Sequence, residues 1–417
     1  MQSLTRIENN SNRWNSSIFA LKSRDCINSV SIIQREMKEL KVEYKKLMIE
    51  AYFENIGYRG LDGQAQKLCY EFLQSHPKCD LMNGLFVDMI LDSGVTTKTK
   101  EHLINHVFTF ASMNENNAKI LYKAGVVAEA INDIQKALDF YLRSMAIDKS
   151  LIAPRFRVWC IGKIHNKDNL VSLGEPNFFE PVIPSFTLEK IKTFNEVDIL
   201  KFEKAKNTTG VIVKEIFDDN TISELHKCFN LECEKRMIRQ KYVSKIEQCS
   251  TEMINLTSYL VANLNNKLLK HISTNLIAGW EPILNPAVHA QFSIPTNNPT
   301  PLHQDRPSFT EKNDWSTFWI PCTENGTLTH PGLEVIPLYI GAMPLKNGNF
   351  STATCPVSRE LLEEYFAKSF IQISVPICGL FIFGPHVFHR GISPAGALKN
   401  RFSIDFRIEI GPRSGLI

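Results

Sequence analysis

The chain has 417 residues, 43% of them apolar and 22% charged, with a formal net charge of +3. That length allows two or three domains with real cores, and the charge is too mild to argue for nucleic acid or an anionic membrane as a partner. No run of about 18 apolar residues is present to span a bilayer. Ten cysteines are scattered without a Cys-x-x-Cys pair, and the closest two, Cys228 and Cys233, do not match a zinc spacing. The opening residues, Met1-Gln2-Ser3-Leu4-Thr5-Arg6, lack the apolar core of a secretory signal. The expectation is a cytoplasmic protein with reduced thiols.

Residues 1–30 are rich in Asn and Ser, show no period, and read as an irregular arm. From Ser31 the pattern turns helical, with Ile33, Met37, Leu40, Leu47 and Tyr52 mostly at three- and four-residue steps. Gly57 and Gly60 break it. Shorter helices are expected over Ala65–Leu73, Leu81–Leu91 and Thr97–Ala111, then two over Ala118–Ile147 punctuated at Gly125. The helical domain thus covers 31–150. Residues 151–205 carry Pro154, Pro176, Pro181 and Pro184, a density that disfavours helix interiors and central strands. They read as a proline-rich connector whose aromatics need burial.

The third region, 206–417, opens with the β-branched run Gly210-Val211-Ile212-Val213. Thr221 is expected to cap the helix that follows, and a longer helix is expected over 250–271. After Pro286 the texture is β. Strands are expected over Val288–Ile294, Trp315–Pro321, Leu333–Pro337, Ile371–Pro376, Gly379–Phe383 and Phe402–Ile410. Short strands broken by Pro and Gly turns indicate a sandwich or barrel.

The chemistry lies in Pro301-Leu302-His303-Gln304-Asp305. Residues two apart on an extended backbone point to one face, so His303 and Asp305 can serve one metal ion. A third ligand is offered by Phe383-Gly384-Pro385-His386-Val387-Phe388-His389-Arg390. His389 is preferred to its rival His386 because it precedes an Arg-Gly turn at a strand end. Two histidines and a carboxylate form the facial triad of non-haem Fe(II) oxygenases. In the alternating run Arg401-Phe402-Ser403-Ile404-Asp405, Arg401, Ser403 and Asp405 share a face. A guanidinium aimed into a β core calls for an anion, and its fork suits a carboxylate. The bland alternative is a surface Arg401 paired with Asp405 or Glu409.

The opening Gly210–Val213 strand, the His303-x-Asp305 pair, the distal His389 and the Arg401-x-Ser403 pair together resemble the phytanoyl-CoA dioxygenase-like family of Fe(II)/2-oxoglutarate oxygenases, over about residues 205–412. The resemblance implies an oxidoreductase on a double-stranded β-helix, or jelly roll, with flanking helices. It implies Fe(II) held by His303, Asp305 and His389, with Arg401 and Ser403 gripping 2-oxoglutarate. Gln291 and Thr317 are weaker candidates for further contacts to that co-substrate. It also implies a hydroxylation that consumes O2 and releases succinate and CO2. Asp305 stands where halogenating relatives lose the carboxylate, so halogenation is not expected. The helical stretch Ala118–Gly125 with Ala130 and Ala137 resembles one tetratricopeptide (TPR) repeat, against the plain alternative of a helical bundle. The overall expectation is an α+β multidomain chain with a TPR-like helical domain ahead of the jelly roll. The substrate expected is a small molecule or carrier-bound biosynthetic intermediate. Alternatives are a protein or peptide hydroxylase that docks its substrate on the helical domain, self-association through that domain, or a non-catalytic scaffold.

Overall fold

A computed structural model describes residues 63–95, 99, 101–176, 182–224, 226–227, 242–244, 264, 268, 280–293, 300–305, 315–346, 355–399 and 401–412; in part of these, 280–293 among them, only the backbone is described. The expected N-terminal arm, the helix from Ser31 and most of the helix over 250–271 lie outside them. The chain divides into two compact units. One is formed by Met1–Pro176, Ser308–Glu311 and Met343–Leu361, the other by Asn177–Pro307, Lys312–Ala342 and Leu362–Ile417.

The first unit is helical, with α1 (Gly63–Ser75), α2 (Asp80–Ser93), α3 (Glu101–Met113), α4 (Ala118–Ala130), α5 (Ile134–Ile147), α6 (Ile152–Ile164) and α7 (Asp168–Gly174). Gly125 does not punctuate the chain where a break was expected; it lies inside α4, and the Tyr141 ring of α5 occupies the space a Cβ would need. The turn falls instead at Asn132, with φ 65°, a conformation Asn tolerates better than most residues. Asp133 then caps α5 by accepting from the Lys136 amide at 3.1 Å.

The expected connector over 151–205 is also different. Its first half is α6 and α7, and the division between units falls at Pro176/Asn177. Pro154 is the third residue of α6. In the first turn its missing N–H would have had no intrahelical partner, so proline there does not exclude a helix. Of its aromatics, Phe156 and Trp159 are buried as expected, at most 5% exposed, and Phe178 and Phe179 lie outside the described residues.

The second unit holds a seven-stranded sheet and a three-stranded sheet. Its strands are β1 (Ser185–Thr187), β2 (Val211–Lys214), β3 (Tyr242–Ser244), β4 (Trp280–Ser293), β5 (Trp315–Pro321), β6 (Gly332–Ile336), β7 (Ile371–Ile373), β8 (Leu380–Phe383), β9 (Phe388–Ile392) and β10 (Arg401–Pro412). The large sheet runs β1-β2-β8-β5-β10-β4-β3 and the small one β7-β6-β9. All pairs are antiparallel except β1–β2.

The period of two sorts these strands into two cores. Phe318, Ile320, Leu380, Ile382, Phe402 and Ile404 face helices α8 (Leu188–Lys192) and α9 (Glu196–Thr208) through Leu188, Ile191 and Phe202. Their alternates Trp319, Phe381 and Phe383 meet Leu333, Val335 and Ile373 of the small sheet. Each fully buried phenylalanine contributes about 1.5–3 kcal/mol from burial alone. On β10 the face opposite Phe402 and Ile404 carries Arg401, Ser403 and Asp405, all buried. The expected cap of the helix after β2 is corrected by three residues. Asp218, not Thr221, fills it, accepting from the Thr221 amide at 2.7 Å and the Thr221 hydroxyl at 2.8 Å.

Candidate metal centre

The sheet framework brings two distant segments side by side. His303 and His389 face each other across an antiparallel bridge. Each backbone N–H donates to the other residue's carbonyl at 3.0 Å. His389 lies in β9 and pairs with Val335 of β6, rather than at a strand end before a turn; Arg390 and Gly391 continue that strand. Gln304, between His303 and Asp305 of the first motif, is 6% exposed. Its side-chain amide donates to the carbonyls of Gly341 and His386 at 2.7 Å each. The loop bearing His303 and Asp305 is thus tied to the loop leading into β9.

The two imidazoles present the same edge. Nδ1 of His303 lies 2.8 Å from the Pro301 carbonyl, and Nδ1 of His389 lies 3.1 Å from that of Val387. A carbonyl only accepts, so each Nδ1 carries a proton, which in the neutral imidazole leaves Nε2 the lone pair. Both Nε2 atoms lie 3.8 Å from Oδ1 of Asp305, and the three ligand atoms fall within 4.8 Å of one another. Adjacent ligands of an octahedral ion with bonds of about 2.1 Å sit about 3 Å apart, so each 3.8 Å separation between an Nε2 and Oδ1 needs to shorten by about 1 Å. Among the described residues this is the group of His, Cys, Asp and Glu that could hold a metal ion.

The charge states match. Burial, and after it the neighbouring His303, holds the His389 imidazole down at about 4. It is therefore neutral near pH 7, as a ligand must be. Burial pushes the Asp305 carboxyl up, but Arg407, the two histidines and the Thr317 hydroxyl outweigh it and hold the group well below the usual carboxylate range. Oδ1 accepts from Nη2 of Arg407 at 3.1 Å and Oδ2 from the Thr317 hydroxyl at 2.5 Å. Arg407 also donates to Asp405.

Arg401 is 3% exposed rather than on the surface. Its Nη1 donates to the Gly332 carbonyl at 2.7 Å, and its guanidinium lies 5.4 Å from the Trp319 ring centre. Burial outweighs the pull of Asp405 and draws it down to about 10. Two residues on, the Ser403 hydroxyl is wholly buried and meets no hydrogen-bond partner among the described residues. Thr317, expected as a contact to the co-substrate, turns its hydroxyl to Asp305 instead. Gln291 pairs through its backbone with Ser403; its side chain lies outside the described ones. His386 is buried, with its ring edge-on to Tyr339 at 6.2 Å, and is not part of the three-ligand group. Sequence reasoning missed Arg407. The signal was present, since Arg407 continues the every-second-residue row through Arg401, Ser403 and Asp405.

No family model and no curated protein matches the chain. Among solved structures, it is similar to the non-heme alpha-ketoglutarate-dependent carbocyclase SnoK from nogalamycin biosynthesis, at 12% identity over 54% of this chain and 89% of that one, with a TM-score of 0.39. It is similar to EvdO2 from Micromonospora carbonacea var. aurantiaca at 14% identity over 54% and 94%, TM-score 0.37. The same EvdO2 complexed with 2-oxoglutarate gives 12% identity over 54% and 94%, TM-score 0.36. Likenesses this distant carry no weight, and the reading of the site rests on its own residues.

Proposed function

We propose that the chain is an Fe(II)- and 2-oxoglutarate-dependent dioxygenase on a double-stranded β-helix, hydroxylating a small molecule or biosynthetic intermediate with release of succinate and CO2. The observation that carries it is the convergence of two imidazole Nε2 atoms and one carboxylate oxygen from backbone-paired segments, with Arg401 and Ser403 buried on β10 of the large sheet. Such a set suits a first-row divalent ion and leaves three octahedral positions open. Bound there, Fe(II) supplies the activation of O2.

The charges support a dianionic co-substrate. Asp305 and Asp405 cancel Arg401 and Arg407; a divalent ion would add two positive charges, and a keto-diacid would remove them. The geometry gives that diacid two ends. The Gly332 carbonyl that receives Arg401 lies three residues along β6 from Val335, the partner of His389. That is about 10 Å along the backbone, a spacing that supports a short diacid reaching from metal to guanidinium. The Ser403 hydroxyl lies two residues from Arg401 on the same face and has a hydrogen bond to give. The residues present therefore fit both groups. The chain's own part is to hold two imidazoles and one carboxylate in place, to seat the diacid, and to exclude water with Trp319, Phe381 and Phe383. Access is on the His303 side, whose side chain is 35% exposed.

For the helical unit we propose a TPR-like pair of helix hairpins. α6 begins 34 residues after α4, and α7 begins 34 after α5. Its buried Arg157 is spent within the chain, donating to the Cys355 carbonyl at 2.8 Å and to Glu129 at 3.4 Å. A peptide docked there would have to do without that cation, which favours the small-molecule reading.

Succinate release is the test. Anaerobically loaded protein exposed to O2 with 2-oxoglutarate should form succinate, more so with a true substrate, and His303→Ala should form none. A folded, iron-loaded protein that neither binds nor consumes 2-oxoglutarate would reject the proposal.

A further inference from the structure

We infer that Thr317 and Arg407 form a clamp borne by the sheet that fixes Asp305 as a one-oxygen metal ligand, Oδ1 inward, and that Arg407 is a positioning residue rather than a contact for substrate. The inference rests on the reading of His303, Asp305 and His389 as a metal site.

The two clamp residues are cross-strand partners, Arg407 on β10 opposite Thr317 on β5. They reach Asp305 from the same face of the sheet and take different oxygens, Thr317 on Oδ2 and Arg407 on Oδ1. Arg407 is itself anchored by Asp405, two residues back on its own strand, and Asp405 pairs with Trp319 of β5. Three side chains on two paired central strands thus hold a carboxylate whose own backbone lies in a loop. Left alone, a loop carboxylate can rotate and offer either oxygen, or both. Here Oδ2 is committed to the hydroxyl, while Oδ1 lies 3.8 Å from both Nε2 atoms. Oδ1 has two lone pairs, enough for one guanidinium N–H and one metal bond. A single-oxygen Asp305 uses three of six octahedral positions with the two histidines. A two-oxygen Asp305 would use four and leave too few for a chelating co-substrate together with O2.

Charge alone makes the opposite forecast for metal binding. Arg407 places a cation on the metal-facing oxygen, so removing it should tighten binding of a divalent ion if orientation were irrelevant. If Arg407 positions Asp305, removing it should weaken binding despite the lost repulsion.

The experiment is a titration of metal-free protein with Co(II) alone, followed by calorimetry and visible absorption, on wild type, Thr317→Val, Thr317→Ser, His303→Ala and the charge-conserving double variant Arg407→Met/Asp405→Asn. The Val variant changes neither charge nor volume appreciably, so it keeps the test alive if the double variant does not fold. The clamp predicts about 10- to 100-fold weaker Co(II) binding for Thr317→Val and for the double variant. It also predicts a changed intensity of the Co(II) bands as coordination number shifts, and recovery in Thr317→Ser. Unchanged or tighter binding with unchanged bands in Thr317→Val would overturn the clamp while leaving the metal site standing. Wild type that binds no Co(II), or binds it as well as His303→Ala does, would overturn the metal reading and the clamp with it.

Discussion

In the helical unit the buried cations Lys123 and Arg157 are each paired with one acid, whereas in the β unit buried charges of both signs converge along one strand. Lys123 meets Asp88 at 2.5 Å, and Arg157 meets Glu129, which also accepts from the Tyr141 hydroxyl at 2.6 Å. Each cation there has its own acid. On β10, two arginines six residues apart are pulled in opposite directions. Burial works against Arg407, but Asp305 and then Asp405 raise it above its ordinary value. Burial wins at Arg401, and Asp405 recovers only part of the loss. The difference separates two uses of buried polarity: a one-to-one pair is a strut, while a guanidinium whose charge burial penalises, beside a hydroxyl with a hydrogen bond to give, is what a seat for an anion would need.

Removing a metal ligand is the largest way to sharpen that contrast. His389→Ala leaves the backbone bridge with His303 intact, so the protein should fold. Loss of the metal should still cost several kcal/mol of transition-state stabilisation, on the order of 10³-fold or more in succinate formation. Next comes a swap between the two arginines. Arg157→Met strands Glu129 and should cost about 3–5 kcal/mol of stability, read as a lower denaturation midpoint, with metal affinity unchanged. Arg401→Met should leave stability level or slightly higher, since a cation whose charge burial penalises is exchanged for an apolar chain. Its KM for 2-oxoglutarate should rise about 10- to 100-fold. If both variants behaved alike, the distinction between strut and seat would fail.

A pH series probes the same asymmetry. The folded-state value of His389, about 4, lies below its ordinary 6.5. Between those values the unfolded chain binds a proton that the folded one refuses, so stability rises with pH across that window. Metal-free protein should therefore lose on the order of 3 kcal/mol as pH falls from 6.5 toward 4. Asp305, held low, extends the loss at more acid pH. Denaturant midpoints at pH 7 and pH 5 measure it, and His389→Gln should flatten the slope. The smallest effect belongs to Ser403→Ala, which gives up one hydrogen bond to the diacid and should raise its KM about 3- to 10-fold at unchanged stability.

Much of the β unit was legible because its strands carry a strict period of two. Trp315–Pro321 was read with the bounds of β5, and the shared face of Arg401, Ser403 and Asp405 follows from alternation alone. The histidine pair was legible as motif fragments. Their backbone bridge was not, because it joins residues 86 apart and no local pattern encodes such a pairing. Thr317 was legible as either a co-substrate contact or a satisfied polar residue of its strand, but its partner Asp305 was not, since which loop carboxylate falls over a strand hydroxyl depends on tertiary register. Arg407 lies on the same alternating row, but its partner Asp305 is 102 residues away in a loop, so no local pattern marks its role. In the helical unit, reading Gly125 as a break treated its conformational freedom as its purpose; its lack of a side chain, which admits Tyr141, is what the packing uses. Pro154 misled for a related reason, because proline opposes helix interiors but not first turns.

The central claim is that three ligands and one guanidinium together seat a ferrous ion and a keto-diacid. Its most direct test is an anaerobic titration of the metal-free protein with Fe(II) and then 2-oxoglutarate, followed by visible absorption. A weak charge-transfer band should appear only when both are present, vanish in His389→Ala, and require more 2-oxoglutarate in Arg401→Met. A folded wild-type protein that takes up Fe(II) yet shows no band at saturating 2-oxoglutarate would contradict the account.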